Sequence, residues 1–371
     1  MKFIHLSDLH LGKRLLERSL IEDQEHILKK IVNIIRKEEP DGILIAGDIY
    51  DKSIPSAEAV ELFDTFLSEL AKEKQEVFIV SGNHDSAERI AFGSSIFRNS
   101  GIHISPVYNG KIQAVRYKDV DIWLVPFLKP VNVKRFYPDK EIGTYGEAFI
   151  TIIGDMNIDE GRINILVAHQ YVTGAEKGGS EEMSIGGIDN IDVSLMNDFD
   201  YVALGHIHKK QTIANKIRYC GTPLKYSFSE INNKNTVTVV EIEKGNLEIR
   251  EIDLEPKREL REIKGTFEEV MKEEFRLGLN LEDYYHIILT DEQDIPDGAS
   301  KLRAVYKNLL KLDYDNTRTR NQYRIDLADL SEEKTTLELF DDFYEMVNGK
   351  KMTEEQSAIM KDAIDKVEGI G

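Results

Sequence analysis

Residues 2–10 read Lys2-Phe-Ile-His-Leu-Ser-Asp8-Leu-His10. The segment Lys2–Leu6 is a short, nearly continuous apolar run, the pattern of a strand covered on both faces. It ends in an aspartate and a histidine two positions apart. In an extended segment such residues share a face, so a carboxylate oxygen and an imidazole nitrogen can reach one point. Four more blocks repeat this arrangement further along the chain. Gly47-Asp48 follows the run Gly42–Ala46, and Gly82-Asn83-His84-Asp85 follows Glu76–Val80. His169 follows Ile163–Ala168, and Gly205-His206-Ile207-His208 follows Tyr201–Leu204.

One Asp-x-His or Gly-Asp on its own is common and is read as a turn or a cap. The ordered series is not. In α/β sheets, groups placed after the carboxyl ends of successive strands converge in one crevice. Here that crevice would collect Asp8, His10, Asp48, Asn83, His169, His206 and His208. Mixed oxygen and nitrogen donors suit Mn²⁺, Fe or Zn²⁺ better than a thiolate-selective metal. A pair of divalent ions about 3.5–4 Å apart can clamp both the attacking and the leaving oxygen of an in-line phosphoryl displacement. Asp48 is the candidate bridge, since one carboxylate can give an oxygen to each ion. Gly47, Gly82 and Gly205 each precede a candidate ligand, where glycine permits a sharp turn and close backbone approach. His84 adjoins Asn83, and neighbouring side chains do not easily point at one ion. Its preferred role is an imidazole aimed at the phosphate; the other open role is to orient ligands.

The set Asp-x-His, Gly-Asp-x-x-Asp, Gly-Asn-His-Asp, His and Gly-His-x-His resembles the calcineurin-like metallophosphoesterase superfamily. His5-Leu-Ser-Asp-Leu-His-Leu-Gly12, Gly47-Asp-Ile-Tyr-Asp-Lys-Ser-Ile-Pro-Ser56 and Ala203-Leu-Gly-His-Ile-His-Lys209 are similar, more narrowly, to the nuclease subunits of bacterial SbcCD complexes. So is Tyr219-Cys-Gly-Thr-Pro-Leu-Lys-Tyr-Ser-Phe-Ser-Glu230, a segment that generic phosphatases of the superfamily lack. The likeness spans about residues 1–255. It implies an α/β fold, a four-layer β-sandwich flanked by helices, with a small α+β capping domain and a C-terminal helix pair. It implies manganese-dependent cleavage of DNA phosphodiesters, as exonuclease on duplex ends and endonuclease at hairpins or blocked ends. It also implies a coiled-coil ATPase partner of the SbcC type and a homodimer within a heterotetramer. By the resemblance, one ion takes Asp8, His10, Asp48 and His208, the other Asp48, Asn83, His169 and His206, and His84 is the catalytic histidine. Archaeal and eukaryotic relatives often carry a further histidine where this chain has Asp51. That departure concerns substrate handling and leaves the metal ligands intact.

The net charge of −19 runs against non-specific duplex binding, for which a basic stripe is the usual footprint. About −12 of it falls in residues 251–371. Two bound dications would dominate the local field, so the expectation is attraction at the centre and weak affinity elsewhere, supplied by a partner. No apolar stretch reaches the ~18 residues of a membrane span, and no signal peptide is read at the start. The single cysteine, Cys220, cannot form an internal disulfide. A cytoplasmic protein is expected.

Strand and helix patterns alternate over residues 1–255, with helices expected near Leu20–Lys37, Ala57–Lys72 and Gly143–Asp155, and hairpins over Lys111–Leu124 and Thr236–Leu254. Lys134–Ile142 reads as a surface loop, and the acidic, glycine-rich stretch Thr173–Asp189 as a substrate-facing loop or a passive connection. Residues 256–325 read as the capping domain, with a strand Leu260–Lys264, a helix Thr266–Phe275, a strand Tyr285–Leu289, a helix Ser300–Leu310 and a polar linker Asp313–Ile325. Residues 326–371 read as a partner-binding segment of two amphipathic helices, Glu333–Val347 and Glu354–Val367. Asn348-Gly349 reads as the stop of the first, and Thr353 with Gln356 as a capping box opening the second. The competing readings are a small-molecule phosphatase or nucleotidase on the same site and a scaffold without chemistry. A small-molecule phosphatase needs no capping domain or terminal helices, and a scaffold would be expected to lose ligands.

Overall fold

The apolar runs Lys2–Leu6, Gly42–Ala46 and Glu76–Val80 form adjacent parallel strands in the computed structural model, which describes residues 1–176, 190–322, 335–348 and 351–368. They sit inside a six-stranded sheet with the order Asn246–Asp253, Thr236–Glu243, Lys2–Leu6, Gly42–Ala46, Glu76–Val80, Ile102–Ile104. The hairpin at its edge is antiparallel, with Ile4 opposite Val239. A second six-stranded sheet has the order Gln211–Ile213, Ile217–Tyr219, Tyr201–Gly205, Ile163–His169, Val120–Val125, Ala114–Tyr117. Its four central strands are parallel.

Side chains alternate across a strand, so each sheet has two apolar faces to cover. Phe3, Leu44, Phe78 and Val80 of the first sheet pack against Ile122, Leu124, Ile165 and Val167 of the second in one buried cluster. Polar groups also cross this interface: buried His5 places Nδ1 2.9 Å from the Tyr201 hydroxyl. Burial keeps the His5 imidazole neutral, its pKa lowered to about 3. The outer face of the second sheet, with Trp123, Leu166 and Val202, is covered by Phe149 and Ile152 of the helix Tyr145–Gly154. The helices Ile21–Glu38 and Ala57–Lys72, which link the parallel strands of the first sheet, bury Ile27, Ile31, Ile35, Phe63, Phe66 and Leu70. The result is the expected four-layer α/β sandwich.

The chain divides into two units, Met1–Glu259 and Leu260–Gly371. The second has its own parallel sheet, ordered Leu260–Gly265, Tyr284–Leu289, Leu309–Tyr314, over a core of Val270, Tyr285, Ile287, Leu302 and Tyr306. Three expectations fail here: the helix read over Thr266–Phe275 is broken at the extended Lys272 into Phe267–Met271 and Glu273–Arg276, and two more differ further along. The helix read over Ser300–Leu310 spans Gly298–Val305, and the start of the supposed linker is the end of a strand, Leu309–Tyr314. Leu310, Leu312 and Tyr314 alternate with Lys311 and Asp313, a period of two that fits a strand. The linker also contains a short helix, Thr317–Gln322. The terminal helices run over Thr336–Asn348 and Glu354–Glu368. The capping box is present: Gln356 N–H donates to Thr353 Oγ1 at 3.3 Å, and Thr353 N–H to Gln356 Oε1 at 3.0 Å. The 177–189 part of the glycine-rich stretch, Arg324 of the linker and Gly349 of the helix stop lie outside the described residues. Among the described residues no helix is long and apolar enough to cross a membrane.

Candidate metal centre

All seven expected donors come together, and both sheets contribute. Asp8, His10, Asp48 and Asn83 follow strands of the first sheet; His169, His206 and His208 end or follow strands of the second. Asp8, His10, Asp48, His169, His206 and His208 are all buried, while Asn83 and His84 are half-buried.

The donors fall into two groups. In one, His10 Nε2 and His208 Nε2 face each other at 3.1 Å, and Asp8 has a carboxylate oxygen within 4.8 Å of both rings' donor atoms. In the other, the Asn83 Oδ1 lies 3.0 Å from His169 Nε2 and 2.9 Å from His206 Nδ1. Asp48 joins them through one atom: its Oδ2 is 3.7 Å from His10 Nε2 and 3.3 Å from His169 Nε2. Its other oxygen, Oδ1, accepts the backbone N–H of His84 at 2.9 Å.

The donors are oriented from behind. His169 Nδ1 lies 2.7 Å from the Ala46 carbonyl and His208 Nδ1 2.6 Å from a Glu230 oxygen. Those partners require the Nδ1–H tautomer, which turns each Nε2 lone pair toward the centre. Asp8 accepts the Ser7 hydroxyl at 2.5 Å and the His206 backbone N–H at 3.1 and 3.2 Å. His84 Nδ1 lies 3.0 Å from the Asp51 carbonyl, which leaves Nε2 as the ring atom available to a substrate. Its ring meets the His10 ring edge-on at 4.9 Å.

The electrostatics favour positive charge at this point. Burial works against a charged His169, but Asp48 and then Asp8 outweigh it and hold the ring up to about 9. The field that favours a proton on that nitrogen also favours a cation in front of it. By contrast, burial lowers His206 to about 3, aided by the charge of His169, and drives His10 well below its ordinary value. Neutral imidazoles are the form that ligates metal. His10 Nδ1 is a buried nitrogen with no hydrogen-bond partner. A set of buried carboxylates, imidazoles and an amide oxygen converging on one another fits divalent cations.

The backbone corrects one step of the sequence argument. Asp8 and His10 share a site without being extended: their φ angles are +53° and +43°, with Asp48 at +48° and His206 at +97°. Each such residue costs about 1–3 kcal/mol and persists where the surroundings over-determine it. Close approach explains two of the glycines. A Cβ on Gly82 would lie 2.1 Å from Asp48 Oδ1, and one on Gly205 would lie 2.0 Å from the Ala46 carbonyl oxygen.

Asp85 and Glu230 carry weight that the motif reading did not assign. The Asp85 carboxylate accepts the backbone N–H groups of Ile49, Tyr50 and Gly82 at 2.9–3.1 Å, tying the Asp48 turn to the Asn83 turn. Burial, and then Asp48, raise its pKa. Its place in Gly-Asn-His-Asp was the available signal. Glu230 closes the Tyr219–Glu230 segment, whose similarity to relatives was visible without its reason.

Residues 1–210 match the calcineurin-like phosphoesterase family, and residues 256–348 the type 5 capsule protein repressor C-terminal domain. The chain is 34% identical over 371 residues to the SbcD subunit of the SbcCD nuclease of Staphylococcus epidermidis, covering 97% of each chain. It is 34% identical over 365 residues to the SbcD subunit of Staphylococcus saprophyticus, covering 96% of each. A donor set split across two sheets, in a chain aligned from end to end with these relatives, leads to one assignment: the chain belongs to the SbcD family of calcineurin-like phosphoesterases.

Proposed function

We propose that the chain is the nuclease subunit of an SbcCD-type complex, hydrolysing DNA phosphodiesters at duplex ends and at hairpins or blocked ends. The observation that carries this reading is the pair of donor groups sharing Asp48 Oδ2, in a chain so fully covered by nuclease relatives. Asp8, His10 and His208, with Asp48, would hold one divalent ion, and Asn83, His169 and His206, with Asp48, the other; manganese is the identity taken from the family resemblance. When bound, such ions supply Lewis acidity toward a phosphoryl oxygen. The rest is work for the chain. Asp48 places one oxygen between the two groups while His84 N–H fixes the other. His84, held through Nδ1 by Asp51, offers Nε2 to the leaving oxygen or to the charge developing on phosphate. The net charge of −19 opposes a long DNA contact, so affinity would come from the SbcC-type partner in a cytoplasmic complex. Incubating the protein with Mn²⁺ and either a duplex oligonucleotide or a chromogenic phosphomonoester tests the reading. Cleavage of the duplex in preference to the monoester is expected; the reverse preference would make it a phosphatase.

We further propose residues 326–371 as the docking element for that ATPase. Leu339, Phe343 and Ile359 are exposed on the terminal helices, and anchors at such spacings are read by helix-in-groove contacts. Deleting residues 331–371 should leave a folded, metal-loaded, weakly active nuclease that no longer co-purifies with the ATPase. Complex formation at the full level would refute the assignment, and insoluble protein would show that these helices serve the core.

A further inference from the structure

Glu230 is a fully buried carboxylate whose two oxygens each have a donor. Oε1 lies 2.6 Å from His208 Nδ1, and Oε2 accepts the Tyr226 backbone N–H at 2.8 Å. A short turn, Phe228–Glu230, folds the side chain back onto Tyr226. The same segment supports the opposite donor. The Tyr226 hydroxyl donates to the Leu9 carbonyl, and its ring packs against His10 at 5.5 Å and His208 at 6.4 Å. Gln24 completes the support: its amide donates to the His10 carbonyl at 2.7 Å and accepts Gly12 N–H at 2.9 Å. His10, at φ +43°, is thus held on its turn from two sides.

We propose that Glu230 is a positioning residue for one of the two metal positions, the one served by His208 and His10, and not for the other. The inference rests on the two-metal reading above. The carboxylate accepts the His208 Nδ1–H and thereby points the Nε2 lone pair at His10 and Asp8. In the other group, His169 is oriented by the Ala46 carbonyl instead. The two positions therefore differ in how a histidine of each is supported, His208 by a side-chain carboxylate and His169 by a backbone carbonyl. A glutamine cannot replace Glu230, because it has one oxygen for two donors. With that oxygen on Tyr226 N–H, the amide NH₂ faces Nδ1 and favours the wrong tautomer. With it on His208, the NH₂ meets the Tyr226 N–H.

The test is titration of the full chain with Mn²⁺ alone, following free Mn²⁺ by electron paramagnetic resonance. The wild type should hold two ions; if it holds none, the two-metal reading itself fails. Glu230→Gln should keep one ion at wild-type affinity and bind the other about 10–100-fold more weakly, the range for loss of an outer-shell partner. Glu230→Asp, which keeps the charge but retracts it, should fall between. Two ions at wild-type affinity in both variants, or equal loss of both ions, would overturn the proposal. Circular dichroism reports whether the variants fold. Should neither fold, ¹⁵N–¹H correlation of the wild-type histidines before metal addition decides: His208 is expected as the Nδ1–H tautomer, and an Nε2–H resonance would overturn the assignment.

Discussion

Asp48→Asn should abolish DNA cleavage, by at least about 10³-fold, and reduce bound Mn²⁺ from about two ions toward one or none. The expectation follows from how the two carboxylate oxygens are used. Oδ2 stands between His10 at 3.7 Å and His169 at 3.3 Å, and Oδ1 accepts the His84 backbone N–H at 2.9 Å. An amide offers one oxygen. With that oxygen on His84 N–H, an NH₂ group points into the donor set, which repels a cation. With it toward the histidines, the NH₂ meets the His84 N–H and the turn at Gly82–Asp85 must shift. Either way the charge that holds His169 up to about 9 is gone. Elemental analysis alongside a nuclease assay reads both effects. Two tightly held ions with full activity in this variant would remove Asp48 from the bridging role.

His84→Gln separates chemistry from ligation. Its Nδ1 faces the Asp51 carbonyl and its backbone N–H holds Asp48, so the ring has only Nε2 to offer a substrate. Glutamine can still donate to Asp51, and the backbone contact is untouched. Metal content and DNA binding should therefore persist while turnover falls roughly 10²–10⁴-fold, the range for general acid–base groups. A different outcome is geometrically open, because His84 also has a ring nitrogen within 4.8 Å of donor atoms of His10 and Asp48. Loss of metal with the variant, rather than loss of rate at full metal, would place His84 among the ligands. Single-turnover kinetics at saturating Mn²⁺ distinguishes the two.

The sequence read by itself located the strands and the candidate donors where local pattern is sufficient. Lys2–Leu6, Gly42–Ala46 and Glu76–Val80 form strands at those residues because consecutive apolar positions bounded by turn residues leave little else possible. The seven candidate donors were readable because each ends or follows such a strand. Leu309–Tyr314 is not legible as a strand because its alternation is short and adjoins a helix, where a period of two competes with one of 3.6.

Other features were decided only in three dimensions. Which sheet each strand joins depends on pairing across long separations, as when Lys2 sits opposite Glu241, and no local signal carries that. The left-handed backbone at Asp8, His10, Asp48 and His206 is unfavourable for each residue alone and exists because packing from both sheets holds it. Glu230 had no visible purpose in the chain, since its value lies in a 2.6 Å contact with His208, 22 residues away. The candidate donors are written in the sequence; the approach of His10 Nε2 and His169 Nε2 to 3.7 and 3.3 Å from a single oxygen of Asp48 comes from the meeting of two sheets, because the two histidines belong to strand ends of different sheets.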